Sequence, residues 1–337
     1  MATVATHRTG TSTGTKGMVL VPGGTFLFGS TAFYPEERPI RPADVGPRWV
    51  DETPVTNAAF RRFVKDTGYV TIAERVPDPA DFPGADPADL VPGSQVFTGT
   101  TGPVPLNDWT QWWSWVPGAD WRHPEGPGST LNGRDLHPVV HIGYEDALAY
   151  ADWIGKQLPT EIEWEHAARG GLEQATYPWG DEFMPHGKVM ANTWHGRFPF
   201  ENTSPHGFVR TSPVRSFRPN GFGLYDVAGN VWEWTDSPWS NDHSPDAAAP
   251  GRPTGRANLL AGNDDEPAAH HQPDHHAGAS CCAPQRPALS EDDRRVTKGG
   301  SHLCAPSYCH RYRPAARQGQ TVRSTTSHLG FRCILPA

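Results

Sequence analysis

The segment KGGSHLCAPSYCHRYR, from Lys298 to Arg313, restricts the fold of this chain more than any other. Its two cysteines, Cys304 and Cys309, lie five positions apart. On a helix that spacing puts the thiols on different faces, and on a straight strand it puts them on opposite sides. The sulfurs can meet only if the backbone bends between them, and Pro306 followed by Ser307 is turn chemistry. A bent loop with two convergent thiols is either a small disulfide loop or a clamp for a soft metal such as Cu(I). On spacing alone both readings stay open.

The rest of the chain also favours bent structure. It holds 35 glycines and 35 prolines in 337 residues, about a fifth of the chain against a usual share of roughly 12%. With 13 tryptophans and 20% charged residues, this describes ordered loops pinned by aromatics rather than a helical bundle. The chain is long enough to bury a sizeable core. Its net charge of −8 is spread among both signs, which excludes a basic stripe for nucleic acid and a polybasic membrane signal. No run of 18 apolar residues is present, so no membrane-spanning helix is expected. Residues 1–17 are rich in threonine and glycine without an apolar core, and read as a disordered arm rather than a secretory signal. A cytoplasmic protein is expected, with its cysteines as thiols and, because five is odd, at least one unpaired.

Local signals place several elements. Residues 18–29 read as a hairpin around Pro22-Gly23-Gly24. Thr56 can cap a helix reaching about Asp66, with Phe60, Phe63 and Val64 on one face and Gly68 as its stop. Residues 76–135 read as a long loop that Trp109, Trp112, Trp113, Trp115 and Trp121 nail to the core. A second helix runs from Glu145 to Lys156. Thr160 with Glu163 forms a capping box for a third, ending at Gly170-Gly171. Its charged residues read as caps and exposed faces.

Further along, Asp226 and Glu233 flank a glycine-bent loop with free carbonyls, a hard-oxygen set suited to calcium. Residues 240–292, with His270-His271, His275-His276 and Cys281-Cys282, read as a mobile surface insertion without zinc-site spacing. Residues 327–334 read as a final strand with Cys333 a buried thiol. A nucleophile elbow, a P-loop and a His-Glu-x-x-His helix are all missing from the sequence.

Taken together, Gly299-Gly300-Ser301, Cys304, Cys309, Arg311-Tyr312-Arg313, Ala315-Ala316-Arg317 and Leu329-Gly330-Phe331-Arg332-Cys333 resemble the signature end of the formylglycine-generating enzymes, the sulfatase-modifying factors. Upstream, Val21-Pro22-Gly23-Gly24-Thr25-Phe26, Leu158-Pro159-Thr160-Glu161, Glu163-Trp164-Glu165, Arg169-Gly170-Gly171, Pro178-Trp179-Gly180, Gly223-Leu224-Tyr225-Asp226 and Gly229-Asn230-Val231-Trp232-Glu233-Trp234 are similar as well. The resemblance covers about residues 18–240 and 294–335. Its upstream motifs belong to a broad superfamily, whereas the cysteine pair after Gly-Gly-Ser is specific to the aldehyde-forming members.

The resemblance implies a copper-dependent oxidase that converts the cysteine of an extended Cys-x-Pro-x-Arg segment in sulfatases to Cα-formylglycine, with molecular oxygen and a thiol reductant. It implies Cu(I) on Cys304 and Cys309, Ser301 and Trp232 lining the oxygen and substrate pocket, and Tyr308 beside the metal. Arg311 and Arg317 match family arginines near the site, where they would bind substrate or form structural ion pairs. Structural calcium is implied on Asp226, Gly229, Val231 and Glu233. A second calcium would take Asn192, Thr193, His206 and Phe208, but the family usually has an aspartate where this chain has His206. Secreted vertebrate members carry extra disulfides at positions occupied here by Ala168 and Pro314, and Ala305 stands where those members are often polar.

The expected fold is α+β. It is a single irregular domain over 18–337, C-type-lectin-like and of the sulfatase-modifying-factor type, with little regular secondary structure. Two other classes compete with the oxidase: a non-catalytic lectin-like binding module, and a related non-haem iron enzyme forming carbon–sulfur bonds. The thiol constellation argues against the first. The second would need an added helical domain with an iron-binding histidine cluster, for which there is no room before Met18.

Overall fold

The computed structural model describes residues 14–79, 84, 86, 88, 90–243 and 293–337. Most of the expected N-terminal arm, and His270-His271, His275-His276 and Cys281-Cys282 of the expected insertion, lie outside the described residues.

The first segment departs from the expected hairpin. Strand β1 (Met18–Val21) and strand β2 (Gly24–Phe28) do not pair with each other. β1 runs antiparallel to β4 (Arg48–Asp51), with Met18 opposite Asp51, and β2 runs antiparallel to β3 (Arg41–Val45), with Gly24 opposite Val45. Pro22-Gly23 is therefore a corner between two sheets. A Cβ on Gly23 would sit 2.7 Å from the Val45 carbonyl oxygen, so two backbones touch here and only glycine fits.

The three helices follow their local signals closely. α1 (Asn57–Thr67) starts where the Thr56 side chain accepts from the Ala59 N–H and stops at Gly68, whose φ is 68°. α2 spans Tyr144–Trp153. α3 (Glu161–Arg169) begins at the Thr160 capping box and ends at Gly170 with φ 61°. Phe60 and Phe63 of α1 are fully buried against Tyr150 and Trp153 of α2, each contributing about 2–3 kcal/mol of burial. The expectation for α3 fails in one respect. Glu161, Glu165 and Arg169 are buried rather than exposed, because Lys298 and Arg317 from distant segments pair with the two carboxylates and Arg169 pairs with Glu165.

The stretch 76–135 is also more regular than expected. It contains β5 (Gly93–Phe97) and β6 (Trp113–Pro117), an antiparallel pair with Gly93 opposite Pro117. The surrounding prolines and glycines hide so short a pair from a pattern reading. Trp112 and Trp121 do pin the stretch to the core, but Trp109 and Trp115 stand exposed.

The sheet that matters for function has the order β10-β7-β8-β9, built from β7 (Trp232–Pro238), β8 (Arg294–Lys298), β9 (Arg317–Thr321) and β10 (Leu329–Gly330). The expected final strand is thus two pieces. β10 runs parallel to β7, then Phe331, Arg332 and Cys333 cross to another sheet, where β11 (Ile334–Pro336) pairs with β4. All three crossing residues are buried, and Cys333 is the free buried thiol expected. Few helices, short strands and much ordered loop make an irregular α+β domain, as expected. Among the described residues, no helix is long and apolar enough to cross a membrane.

Candidate active site

The thiol loop connects β8 to β9, neighbouring strands of the central sheet. It leaves β8 through Gly299 and Gly300, with φ of 91° and 69°. A Cβ on Gly300 would lie 2.8 Å from the Arg311 carbonyl oxygen, so the two limbs of the loop are in backbone contact. After Cys304 the chain winds one turn: the N–H groups of Tyr308 and Cys309 both donate to the Ala305 carbonyl, at 3.1 and 2.9 Å. That turn, at Pro306-Ser307, is the bend the spacing demanded. It places Cys304 Sγ 3.0 Å from Cys309 Sγ, beyond the roughly 2.05 Å of a disulfide bond.

Neighbouring segments hold the loop in register. The Trp194 N–H donates to the Cys304 carbonyl at 3.0 Å, and the His302 N–H to the Asn230 carbonyl at 3.0 Å. The buried Ser301 donates its N–H to Cys304 Sγ at 3.4 Å and accepts on Oγ from the Leu303 N–H.

Both sulfurs line a cavity of about 440 Å³. Ser301, Trp232, Tyr308 and Arg311 line it too, so four expected partners of the pair are brought together with it. Tyr308 stacks flat on Phe198, ring centroids 4.3 Å apart. The rest of the wall was missed as a site from sequence: Leu303 beside Cys304, and then Glu36, Trp113, Phe198, Trp239, Arg294, Gln318, Gly319 and His328. They come from segments far apart in the chain, and no spacing pattern links them. His328 is held next to Trp232, whose N–H donates to the His328 carbonyl at 2.8 Å, and its Nδ1 bonds Thr326 Oγ1 at 2.6 Å. Burial, with His302 and His141 nearby, keeps this imidazole neutral, its pKa pushed down to about 3.

The two thiols are not equivalent. Burial pushes Cys304 well above an ordinary thiol. Cys309 is drawn down to about 7, chiefly by the hydrogen bond from Cys304, with the Arg311 guanidinium assisting against burial. One proton shared between two sulfurs is the physical content of that split. Two thiols in contact, one already leaning to thiolate, are a soft donor set, and they fit Cu(I).

The two arginines part company. Arg311 faces the cavity, donates to Glu36 Oε1 at 2.8 Å and lies over the Tyr34 ring at 3.8 Å. Arg317 is not among the residues that line the cavity. Its buried guanidinium grips Glu161 through two bonds of 2.8 Å. Lys298 Nζ joins the same cluster, 2.9 Å from Glu165 Oε2 and 3.3 Å from Glu161 Oε1, and Arg169 reaches Glu165 at 2.7 Å. Of the two roles the resemblance allows Arg317, the structural ion pair is the one these contacts form, because Glu161 lies on a buried helix face.

The first calcium set, Asp226 with Glu233 and the Gly229 and Val231 carbonyls, is partly committed. Glu233 accepts from Arg332 at 2.6 and 2.8 Å and from Trp164 Nε1 at 2.8 Å. Asp226 accepts the Arg215 N–H. Burial raises its carboxyl to about 6, and the Glu233 charge adds to the shift. A half-buried carboxyl whose ionisation is opposed by burial and by a second carboxylate nearby fits a dication as its partner. In the second set Asn192 and Thr193 are buried beside His206 and Phe208, but the imidazole has taken the Thr193 carbonyl itself, with Nε2 3.2 Å from that oxygen. Those residues do not fit calcium.

Residues 4–337 match the family model of the sulfatase-modifying factor enzyme 1-like domain. The chain belongs to this family. It is 52% identical over 319 residues to a formylglycine-generating enzyme of Mycobacterium tuberculosis, covering 94% of this chain and 97% of that protein. It is 40% identical to the formylglycine-generating enzyme of Mus musculus, over 94% of this chain and 74% of that one. It is also 35% identical to a Bos taurus relative named inactive C-alpha-formylglycine-generating enzyme 2, over 95% of this chain and 88% of that one. Among solved structures, PvdO from Pseudomonas aeruginosa shares the fold at 20% identity and a TM-score of 0.56, covering 95% and 94% of the two chains. The sulfatase-modifying factor family thus includes a protein named inactive, and membership alone does not decide the chemistry.

Proposed function

We propose that this chain oxidises the cysteine of a Cys-x-Pro-x-Arg segment in an extended sulfatase polypeptide to Cα-formylglycine. The observation that carries the reading is the convergence of Cys304 and Cys309 at 3.0 Å in the wall of an open cavity. A disulfide or an inert buried pair would have no use for that cavity. The identity to proteins named formylglycine-generating enzymes adds support.

Cys304 and Cys309 would hold Cu(I), which supplies redox access to molecular oxygen when bound. Ser301 keeps Cys304 oriented through its N–H. Trp232, Trp113 and Phe198 wall the cavity with rings and so restrict water around the reacting carbon. Arg311, anchored by Glu36, keeps a positive charge beside Cys309 and favours its thiolate. Overall, the substrate Cβ loses two electrons and its sulfur leaves as hydrogen sulfide. A thiol reductant supplies two more electrons. The four electrons reduce dioxygen to two waters, one of which is used to form the aldehyde. The described cysteines are free thiols, which suits a reducing, cytoplasmic setting.

The test is mass spectrometry of a peptide containing Leu-Cys-Thr-Pro-Ser-Arg after incubation with the protein, Cu(I), a thiol reductant and air. The expected product reacts with an aminooxy probe and carries carbonyl oxygen in place of the thiol and one β hydrogen. Cys304→Ala and Cys309→Ala should each abolish it. An unchanged peptide with copper bound to the protein would reject this substrate. An unchanged peptide without copper binding would reject the oxidase.

A further inference from the structure

The loop from Asn192 to Phe208 supports the thiol site from outside. It donates the Trp194 N–H to the Cys304 carbonyl and carries Phe198 into the cavity under Tyr308. His206 adds to its closure, beside the Thr203 N–H, which donates to the His195 carbonyl at 2.7 Å. Nδ1 of the His206 imidazole accepts the Phe208 N–H at 3.1 Å. The ring proton therefore sits on Nε2, which donates to the Thr193 carbonyl at 3.2 Å. Both nitrogens are satisfied by one neutral tautomer.

The surroundings suit such a ring and do not suit a dication. His206 packs against Phe208, Phe217 and His195, with centroids 5.8, 5.8 and 5.5 Å away. No cluster of three or more histidine, cysteine or acidic side chains able to hold a metal occurs among the described residues. Calcium sites are built from oxygens and draw much of their affinity from carboxylates. One oxygen nearby is left over. The buried Asn192 Oδ1 has no hydrogen-bond partner, while its Nδ2 donates to the Arg210 carbonyl at 2.8 Å.

We propose that His206 replaces a cation in this loop. The imidazole N–H occupies the Thr193 carbonyl that a calcium ion would use, so the loop under the thiol site is closed without metal. The site is one carboxylate short of binding calcium, and His206→Asp supplies it, with Asn192 Oδ1 and the Thr193 carbonyl as ready ligands. This stands apart from the proposed oxidation, since neither copper nor a peptide substrate enters the argument.

The test counts bound calcium by equilibrium dialysis and elemental analysis, and follows thermal melting in calcium and in chelator. His206→Asp should bind one more ion per chain than the wild type, and it should melt several degrees lower in chelator with recovery in calcium. His206→Ala should melt lower than the wild type in both media and bind no extra ion. If the wild type binds as many ions as His206→Asp, the imidazole does not replace a cation. If His206→Ala melts like the wild type, the imidazole does not close the loop. Either result overturns the proposal. Should His206→Asp fail to fold even with calcium present, the His206→Ala melt and the wild-type ion count decide alone.

Discussion

At the scale of single residues, the asymmetry of the thiol pair is the most consequential feature. Cys309 titrates near 7 because Cys304 lends it a hydrogen bond and Arg311 stands by. Removing the lender should move the whole profile. In Cys304→Ala, alkylation of Cys309 by iodoacetamide should shift its pH midpoint from about 7 toward an ordinary thiol at about 8.5. At pH 7 its rate should fall about tenfold. Peptide mapping over a pH series measures this, and an unmoved midpoint would mean that Arg311 alone lowers Cys309. The bend between the thiols could be read from Pro306-Ser307 and the spacing. Which thiol holds the proton could not, because burial and Arg311's orientation by Glu36 are properties of the folded cavity.

At the scale of elements, α3 shows where a local reading succeeds and where it stops. The Thr160-Glu163 box and the Gly170 stop are local chemistry, so both ends of the helix were legible. Its buried charged face was not. The partners of Glu161 and Glu165 include Lys298 and Arg317, more than a hundred residues away in sequence. Burial alone would raise the Glu161 carboxyl, but Lys298, His243 and Arg317 reverse that and hold it well below the usual range. A depressed carboxylate contributes stability above its unfolded pKa of about 4.3, and that contribution is lost as pH falls through the lower, folded value. Glu161→Gln should cost about 3–5 kcal/mol at pH 7, since Lys298 and Arg317 are left buried without their anion. Urea melts at pH 7, 5 and 3.5 should show a shallower acid loss for the variant than for the wild type. The β1–β2 misreading has the same origin: a Pro-Gly-Gly turn marks a bend, but whether strands pair across it depends on β3 and β4.

At the scale of the molecule, the sheet β1-β4-β11 ties the first described strand to the last. Ile334 is buried in it, against Val21, Val50 and Trp164 in one apolar cluster. Ile334→Ala should cost about 2–5 kcal/mol. Because Phe331, Arg332 and Cys333 lead straight into β11, labelling of the buried Cys333 thiol should become faster in the same variant. Equal labelling rates would show that the crossing segment holds without β11. The irregular α+β character was legible from glycine, proline and tryptophan. The cavity wall was not, since it draws on residues from Glu36 to His328.

That spread along the chain means that no partly folded chain has the cavity. The β8–β9 loop can bring Cys304 and Cys309 together, but walls from Glu36, Trp113, Phe198 and His328 arrive only when the whole domain has folded. The cavity therefore closes around thiols that have already met the surrounding solution. Whatever keeps those thiols reduced must act before folding is complete.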